Sequence, residues 1–350
     1  MEASTARPAT LEEVAEAAGV SRATVSRVVN GADRVSADTR RAVERAVARL
    51  GYVPNRAARS LVTRRSDSIG LVIPEPTPQL FGDPFFPRVV RGVTDVLAER
   101  GVQLVLFMPQ SPGDERRLES YLGGGHVDGV LLVSLHGDDR LPLRLARRGV
   151  PVVLGGRPFE DAELSYVDVD NRRGAMQAVA HLVEQGRRRI GVLAGPQDMV
   201  AGVDRLAGYR TAIEAAGLEA GPDLVATGDF TYESGLAGMR ALLAGRPDLD
   251  GVFAASDLVA IGAMSALRAA GRRVPEDVAV VSFDDSALAV TTDPPLTSVR
   301  QPIELYGREI ARLLLQLIDY GGQGAPQAAT RVLLGTELIV RGSSVPSASS

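Results

Sequence analysis

The 350-residue chain contains no cysteine, no tryptophan and no lysine, and aromatic residues make up only 4% of it. Without thiols, neither disulfides nor thiolate metal sites can form. The three histidines, His126, His136 and His181, lack the H-x-x-x-H type of spacing that holds a metal. No metal and no cofactor is therefore expected. No run approaches the roughly 18 consecutive apolar residues of a membrane span. The first residues, Met-Glu-Ala-Ser-Thr, have neither the basic nor the apolar segment of a signal peptide. A soluble cytoplasmic protein with no membrane partner is the expectation. The chain also lacks G-x-S-x-G, G-x-G-x-x-G and G-x-x-x-x-G-K-[ST], so an acyl-transfer nucleophile and the common nucleotide sites are missing. Two acid pairs, Asp138-Asp139 and Asp284-Asp285, are the only glycosidase-like feature. Neighbours at a strand end point apart and do not flank one bond as that chemistry requires. No enzymatic activity is expected.

What is present begins at residue 10. Thr10 and Glu13 form a T-x-x-E capping box, and Leu11, Val14, Ala15 and Ala18 follow on one helical face. Gly19 supplies a turn and Ser21 an N-cap for a second helix, in which Val25, Val28 and Val29 point inward. That register leaves Arg22, Ala23, Ser26 and Arg27 facing outward. A third helix is predicted from Ser36 to Leu50, burying Val43, Val47 and Leu50 and stopping at Gly51. Two short helices around such a turn form a helix-turn-helix, whose second helix lies in the DNA major groove.

Charge points to the same partner. Residues 1–66 hold 12 Arg against 7 acids, a net of +5, whereas the whole chain stands at −4 and the remaining 284 residues therefore at −9. A basic head on an acidic body concentrates counterion release where phosphates are met. Arg alone supplies all 39 basic residues, a bias that suits a GC-rich genome more than any special chemistry.

Beyond residue 66, short Val/Leu/Ile runs alternate with helical stretches. Strands are predicted at 68–73, 102–107, 129–133 and 150–154, then at 189–193, 224–227, 251–254 and 278–282. Helical spacing marks 86–100, 172–185 and 257–270. This pattern predicts an α/β body of two similar lobes, each a parallel, Rossmann-like sheet covered by helices, with ligand bound beyond the carboxyl ends of the strands.

The chain resembles the LacI/GalR (lactose-repressor) family of bacterial transcription regulators from Thr10 to about Gly342. The head carries Val-Ser-Arg-Ala-Thr-Val-Ser-Arg-Val-Val-Asn30 and Gly-Tyr-Val-Pro-Asn-Arg-Ala-Ala-Arg-Ser-Leu61. The body carries Asp83-Pro-Phe-Phe86, Val167-Asp-Val-Asp-Asn171, Asp204-Arg-Leu-Ala-Gly208, Ala255-Ser-Asp257, Ser282-Phe-Asp-Asp285 and Pro295-Leu-Thr-Ser-Val-Arg300. Their order and spacing together are specific. The resemblance implies an N-terminal helix-turn-helix domain (1–66) with a hinge helix at about 54–63. A two-lobed, periplasmic-binding-protein-like effector and dimerisation domain (67–342) follows, and 343–350 are expected to be a disordered tail.

By the same resemblance, base contacts fall to Arg22, Ala23 and Arg27, flanked by Ser21 and Ser26. Arg donors pair with guanine, so a palindromic operator with G-rich half-sites is expected. Asn30, Arg56 and Arg59 are expected on phosphates or in the minor groove. The hinge, about two turns long, is too short to stand alone and should fold on DNA beside its dimer mate. Ala57 and Ala58 allow two hinge helices to pack closely, and Leu61 would wedge into the minor groove.

The effector site implied by the resemblance centres on Arg205 and Asp284, with Phe230 as an aromatic platform for a pyranose face. Asp83, Phe85, Ser134, His136, Arg157, Asp170 and Ser256 complete the lining. Ser256 departs from the Asn common at its position. The neighbouring Arg is expected to hold Asp284 ionised. A neutral sugar suits such a guanidinium and carboxylate pair. Ser134-Leu-His-Gly-Asp138 and Phe85-Phe86 favour, by analogy, a plant-derived disaccharide such as cellobiose, or another glucoside. The resemblance implies a homodimeric repressor of carbohydrate-utilisation genes, released from its operator by that sugar. A purine-responsive regulator and the sugar-binding protein of a transporter are the alternatives.

Overall fold

The computed structural model describes residues 9–29, 35–52, 65–137, 139–160, 162–321 and 328–345. They fall into two compact units, residues 1–66 and 67–350.

The first unit has three helices, α1 (Leu11–Ala18), α2 (Arg22–Val29) and α3 (Ala37–Leu50). The capping box at Thr10 and Glu13 is complete, and Gly19 ends α1 in the left-handed conformation at φ +67°. Ser21 Oγ accepts from Thr24 N and Ser36 Oγ from Thr39 N, fixing the starts of α2 and α3. Val14, Ala15, Val25, Val28, Val43 and Ala46 make the small core. Val29 and Val47 pack only against its rim. Leu50, expected inside, is 37% exposed: it shares the helical face of Val43 and Ala46 but is the last residue of α3.

The second unit holds two six-stranded sheets. In the amino-terminal lobe β1 (Ser68–Val72), β2 (Gln103–Phe107), β3 (Gly129–Val133), β4 (Val152–Gly155), β5 (Ser165–Val169) and β11 (Arg331–Leu334) lie in the order β11-β5-β4-β3-β1-β2, all parallel. In the carboxy-terminal lobe β6 (Ile190–Ala194), β7 (Val225–Thr227), β8 (Gly251–Ala254), β9 (Ala279–Asp284), β10 (Thr297–Arg300) and β12 (Glu337–Ile339) run β12-β10-β9-β8-β6-β7. Only β12 is antiparallel there. Four strands per lobe are predicted from the sequence, and β5, β10, β11 and β12 are additional. Of these, β11 and β12 are half-exposed edge strands of four and three residues, too short to register as apolar runs.

Helices α4 (Thr77–Gly82), α5 (Phe85–Glu99), α6 (Pro112–Gly123), α7 (Leu141–Arg147) and α12 (Ile303–Gly321) belong to the first lobe. Helices α8 (Asn171–Glu184), α9 (Val200–Ala215), α10 (Tyr232–Gly245) and α11 (Asp257–Ala269) belong to the second. The chain therefore crosses between lobes three times: at 169–171, at 300–303 and at 334–337. Helix α12, reached by the second crossing, returns Ile303, Tyr306, Ile310 and Leu314 to the core built by β1 and α5.

Residues 343–345, expected at the start of a disordered tail, pack against the second lobe. Ser343 and Ser344 are fully buried: Ser343 Oγ donates to Val280 O, and Ser344 Oγ bonds both His181 Nε2 and Thr297 Oγ1. These hydroxyls satisfy polar groups at the base of the second lobe, and that ties residues 343–345 into it.

Candidate effector site and DNA-recognition surface

Strand ends bring the effector-site residues together. Asp83 precedes α5, Ser134 follows β3, Arg205 lies on α9, Phe230 precedes α10, and Asp284 closes β9. Ser134 (φ +62°), Phe230 (φ +67°) and Asp284 (φ +104°) all adopt the left-handed backbone that non-glycine residues avoid. Such strain persists only where surrounding structure enforces it, and it gathers at binding sites.

Two adjoining compartments occupy the cleft between the lobes. The outer one is lined by Asp83, Phe85, Ser134, Arg205, Phe230, Ser256 and Asp284, with Glu75, Gln79 and Gln301 among its other walls. The inner one shares Phe85, Ser134, Arg205 and Gln301 and extends into the first lobe past Arg157, Phe159, Asp168 and Tyr306.

Arg205 is the organising cation. It is buried, donates from Nε to Asn171 Oδ1 (2.9 Å) and from Nη1 to the Ala255 carbonyl, and stands 3.5 Å from Asp284 Oδ1. Its guanidinium lies 3.8 Å from the centre of the Phe283 ring and 5.5 Å from that of Phe230. Gln301 Nε2 donates to Asp284 Oδ1, and Phe85 N donates to Asp83 Oδ1 at 2.8 Å.

Burial raises the Asp284 pKa well above the ordinary carboxylate value even though Arg205 opposes it. This corrects the expectation that the arginine would keep Asp284 ionised: the cost of desolvating a buried carboxylate is the larger effect. Asp83 is likewise pushed up by burial, to about 6. Ser256 lines the outer compartment, but its hydroxyl already caps α11 at Val259 N and contacts the Phe230 carbonyl.

Two expected lining residues stand elsewhere. Asp170 lines neither compartment; it caps α8 by accepting from Arg173 N. Its neighbour Asn171 takes the place at the first crossing and holds Arg205. His136 also lies outside both compartments, at the seam between lobes. There it bonds Glu75 of the first lobe (Nε2, 3.1 Å) and Asp198 of the second (Nδ1, 3.0 Å). Other seam contacts run from Gln79 Nε2 to Asp229 O (3.2 Å), from Gly137 N to Asp198 O (2.6 Å) and from Arg157 to Asp204. Asp285 turns away to Arg300 and Arg341, whereas Asp284 faces the cleft. Asp138 lies outside the described residues.

Sequence reasoning missed Glu75, Asn171, Gln301 and Tyr306. Asn171 and Gln301 sit at or beside quoted motifs, and the signal for both was their place at lobe crossings, which needs the topology to be visible.

On the head, Ser21, Arg22, Ala23 and Arg27 are exposed, and Ser26 is half-buried. Arg22 pairs with Glu12 on α1 at 3.1 Å, a contact the sequence did not suggest. Asn30, Arg56, Ala57, Arg59, Leu61 and the whole predicted hinge helix lie outside the described residues. Among the described residues no cluster of side chains could hold a metal ion, and no helix is long and apolar enough to cross a membrane.

Residues 10–55 match the model of the bacterial regulatory proteins of the lacI family, and 179–344 match a periplasmic binding protein-like domain. The HTH-type transcriptional regulator CelR of Thermobifida fusca is 56% identical over 337 residues, covering 96% of this chain and 98% of that protein. The structure of a transcriptional regulator CelR–cellobiose complex superposes with a TM-score of 0.76 at 55% identity, over 96% of this chain and 100% of that one. The lac repressor dimer bound to operator and the anti-inducer ONPF gives 0.84 at 30% identity, over 97% and 100%.

Proposed function

The chain belongs to the LacI family of bacterial regulatory proteins, and from that premise we propose a repressor of carbohydrate-utilisation genes that a neutral glucoside such as cellobiose releases from a palindromic operator. The observation that carries this reading is the outer compartment, where Asp83 and Asp284 come from opposite lobes and meet around one buried arginine. A polyol hydroxyl donates to a carboxylate, and accepts from a protonated carboxyl or from the guanidinium, so a neutral polyol can bond Asp83, Asp284 and Arg205 together and join the lobes. Phe230 offers a flat apolar surface for a pyranose ring. The similarity to CelR, solved with cellobiose, supports the same ligand class.

Residues 1–66 then carry the operator specificity, with Arg22 and Arg27 as base-edge donors, Ala23, Ser21 and Ser26 beside them, and Asn30, Arg56, Ala57, Arg59 and Leu61 serving the backbone and minor groove. Residues 67–345 carry effector binding and dimerisation. The protein works as a cytoplasmic, non-enzymatic homodimer, because one helix-turn-helix makes too few contacts and a palindrome matches two-fold symmetry.

Calorimetric titration with cellobiose, maltose, lactose, glucose, guanine and hypoxanthine tests the reading, together with a gel shift on an operator selected from a random pool. Cellobiose should bind most tightly and release the DNA. Saturable binding of a purine with no response to any sugar would replace this reading with the purine-responsive one.

A further inference from the structure

The inner compartment contains a polar group that no contact within the protein explains. Tyr306, near the start of α12, is 5% exposed and lines this cavity. Its ring packs beside Phe85 at 6.2 Å between centres, yet its hydroxyl makes no hydrogen bond among the described residues. The hydroxyl is open to the cavity, and a polar group on a cavity wall with no partner in the protein is a place for a ligand atom. The sequence makes room for this hydroxyl: a Cβ on Gly155, at the end of β4, would overlap it. Burial raises the Tyr306 pKa above its ordinary value, so it stays protonated and can both donate and accept.

A second feature of the same cavity agrees. Phe159, on the segment after β4, is 45% exposed, one of the most exposed large apolar side chains described. Pro158, Leu143 and Pro142 continue its apolar surface along the wall, while Arg157 and Asp168 supply polar edges. The inner compartment adjoins the outer one at Phe85, Ser134, Arg205 and Gln301, which line both.

We infer that the inner compartment is a subsite for the second ring of a disaccharide or the aglycone of a glucoside, in which Tyr306 bonds a hydroxyl of that ring and Phe159 packs against its face. The inference rests on the sugar reading and adds a division of labour to it. Asp83, Asp284, Arg205 and Phe230 hold the first ring, and Tyr306 with Phe159 makes the site select two rings over one.

The test compares cellobiose with glucose, by calorimetry, on full-length wild-type protein, Tyr306→Phe and Phe159→Ala. Each substitution should weaken cellobiose about tenfold, the scale of one hydrogen bond or one ring contact. Glucose affinity should stay within about twofold. Tyr306→Phe removes only an unpaired hydroxyl, so the melting temperature of the sugar-free protein should hold or rise while cellobiose affinity falls. A purely structural role would lower it. Cellobiose affinity unchanged in both variants, or glucose weakened equally, overturns the subsite. Wild-type protein that binds neither sugar overturns the sugar reading itself, and the subsite with it.

Discussion

Asp83 and Asp284 reach one compartment from opposite lobes, and burial raises both. For Asp83 the shift is upward, from 3.8 to about 6. Such a group favours the folded state while protonated, fully so below pH 3.8, and that contribution is lost as pH rises through about 6. Asp83→Asn keeps the shape and removes the charge. It should raise the melting temperature at pH 8 by about 2–4 °C and leave it unchanged at pH 4. Sugar binding should respond in the opposite direction, because hydroxyl donors prefer the carboxylate. Wild-type affinity should strengthen from pH 5 to 7, and calorimetry on Asp83→Asn should find most of that slope gone. A variant that keeps the full slope would exclude Asp83 from the site.

Strand ends and their loops carry the site, and the seam is built from the same parts. His136 follows β3 and bridges Glu75 and Asp198, one from each lobe. Those two acids raise its pKa to about 9, the Glu75 bond contributing most. Asp139, Arg140, Arg144 and Glu115 line the surface pocket beside it. A histidine raised this way supports the joined lobes fully below its ordinary value near 6.5 and loses that support as pH rises through about 9. Sugar affinity should therefore fall by up to about fivefold between pH 7 and 10. His136→Ala should bind more weakly at pH 7 and show no such fall. A pH profile identical to that of wild type would mean that the bridge does not hold the lobes.

Much of this was legible in the sequence for a physical reason. Central strands such as Val130–Val133 are buried on both faces and read as unbroken apolar runs, and the helix starts announce themselves through Thr10, Ser36 and other caps. Edge strands and crossings gave weaker signals. Asp170 and Asn171 are adjacent, and periodicity alone cannot tell which of them caps α8 and which reaches Arg205. His136 was picked for its residue type and position, but whether it faces ligand or the opposite lobe depends on Asp198, 62 residues away.

At the scale of the whole molecule, DNA reading and sugar reading reside in separate compact units. Damage to one should leave the other intact. Arg27→Ala should cost about 1–3 kcal/mol of operator binding and relax preference at one half-site base, with cellobiose affinity unchanged. Equal weakening on operator and random DNA would reassign Arg27 to a phosphate. The head was legible because its helices and caps are contiguous over some forty residues. The lobes were harder to bound, since each is assembled from separated stretches of chain.

That discontinuity governs the order in which the protein can be made. The lobe that begins at Ser68 lacks α12 and its edge strand β11 until residue 334 has been synthesised, and its partner lacks β12 until residue 339. On the ribosome the helix-turn-helix is complete early, whereas both lobes wait, open at their cores, for the last tenth of the message. A transcript cut short between the end of the head and that point therefore yields a helix-turn-helix attached to an unfinished body.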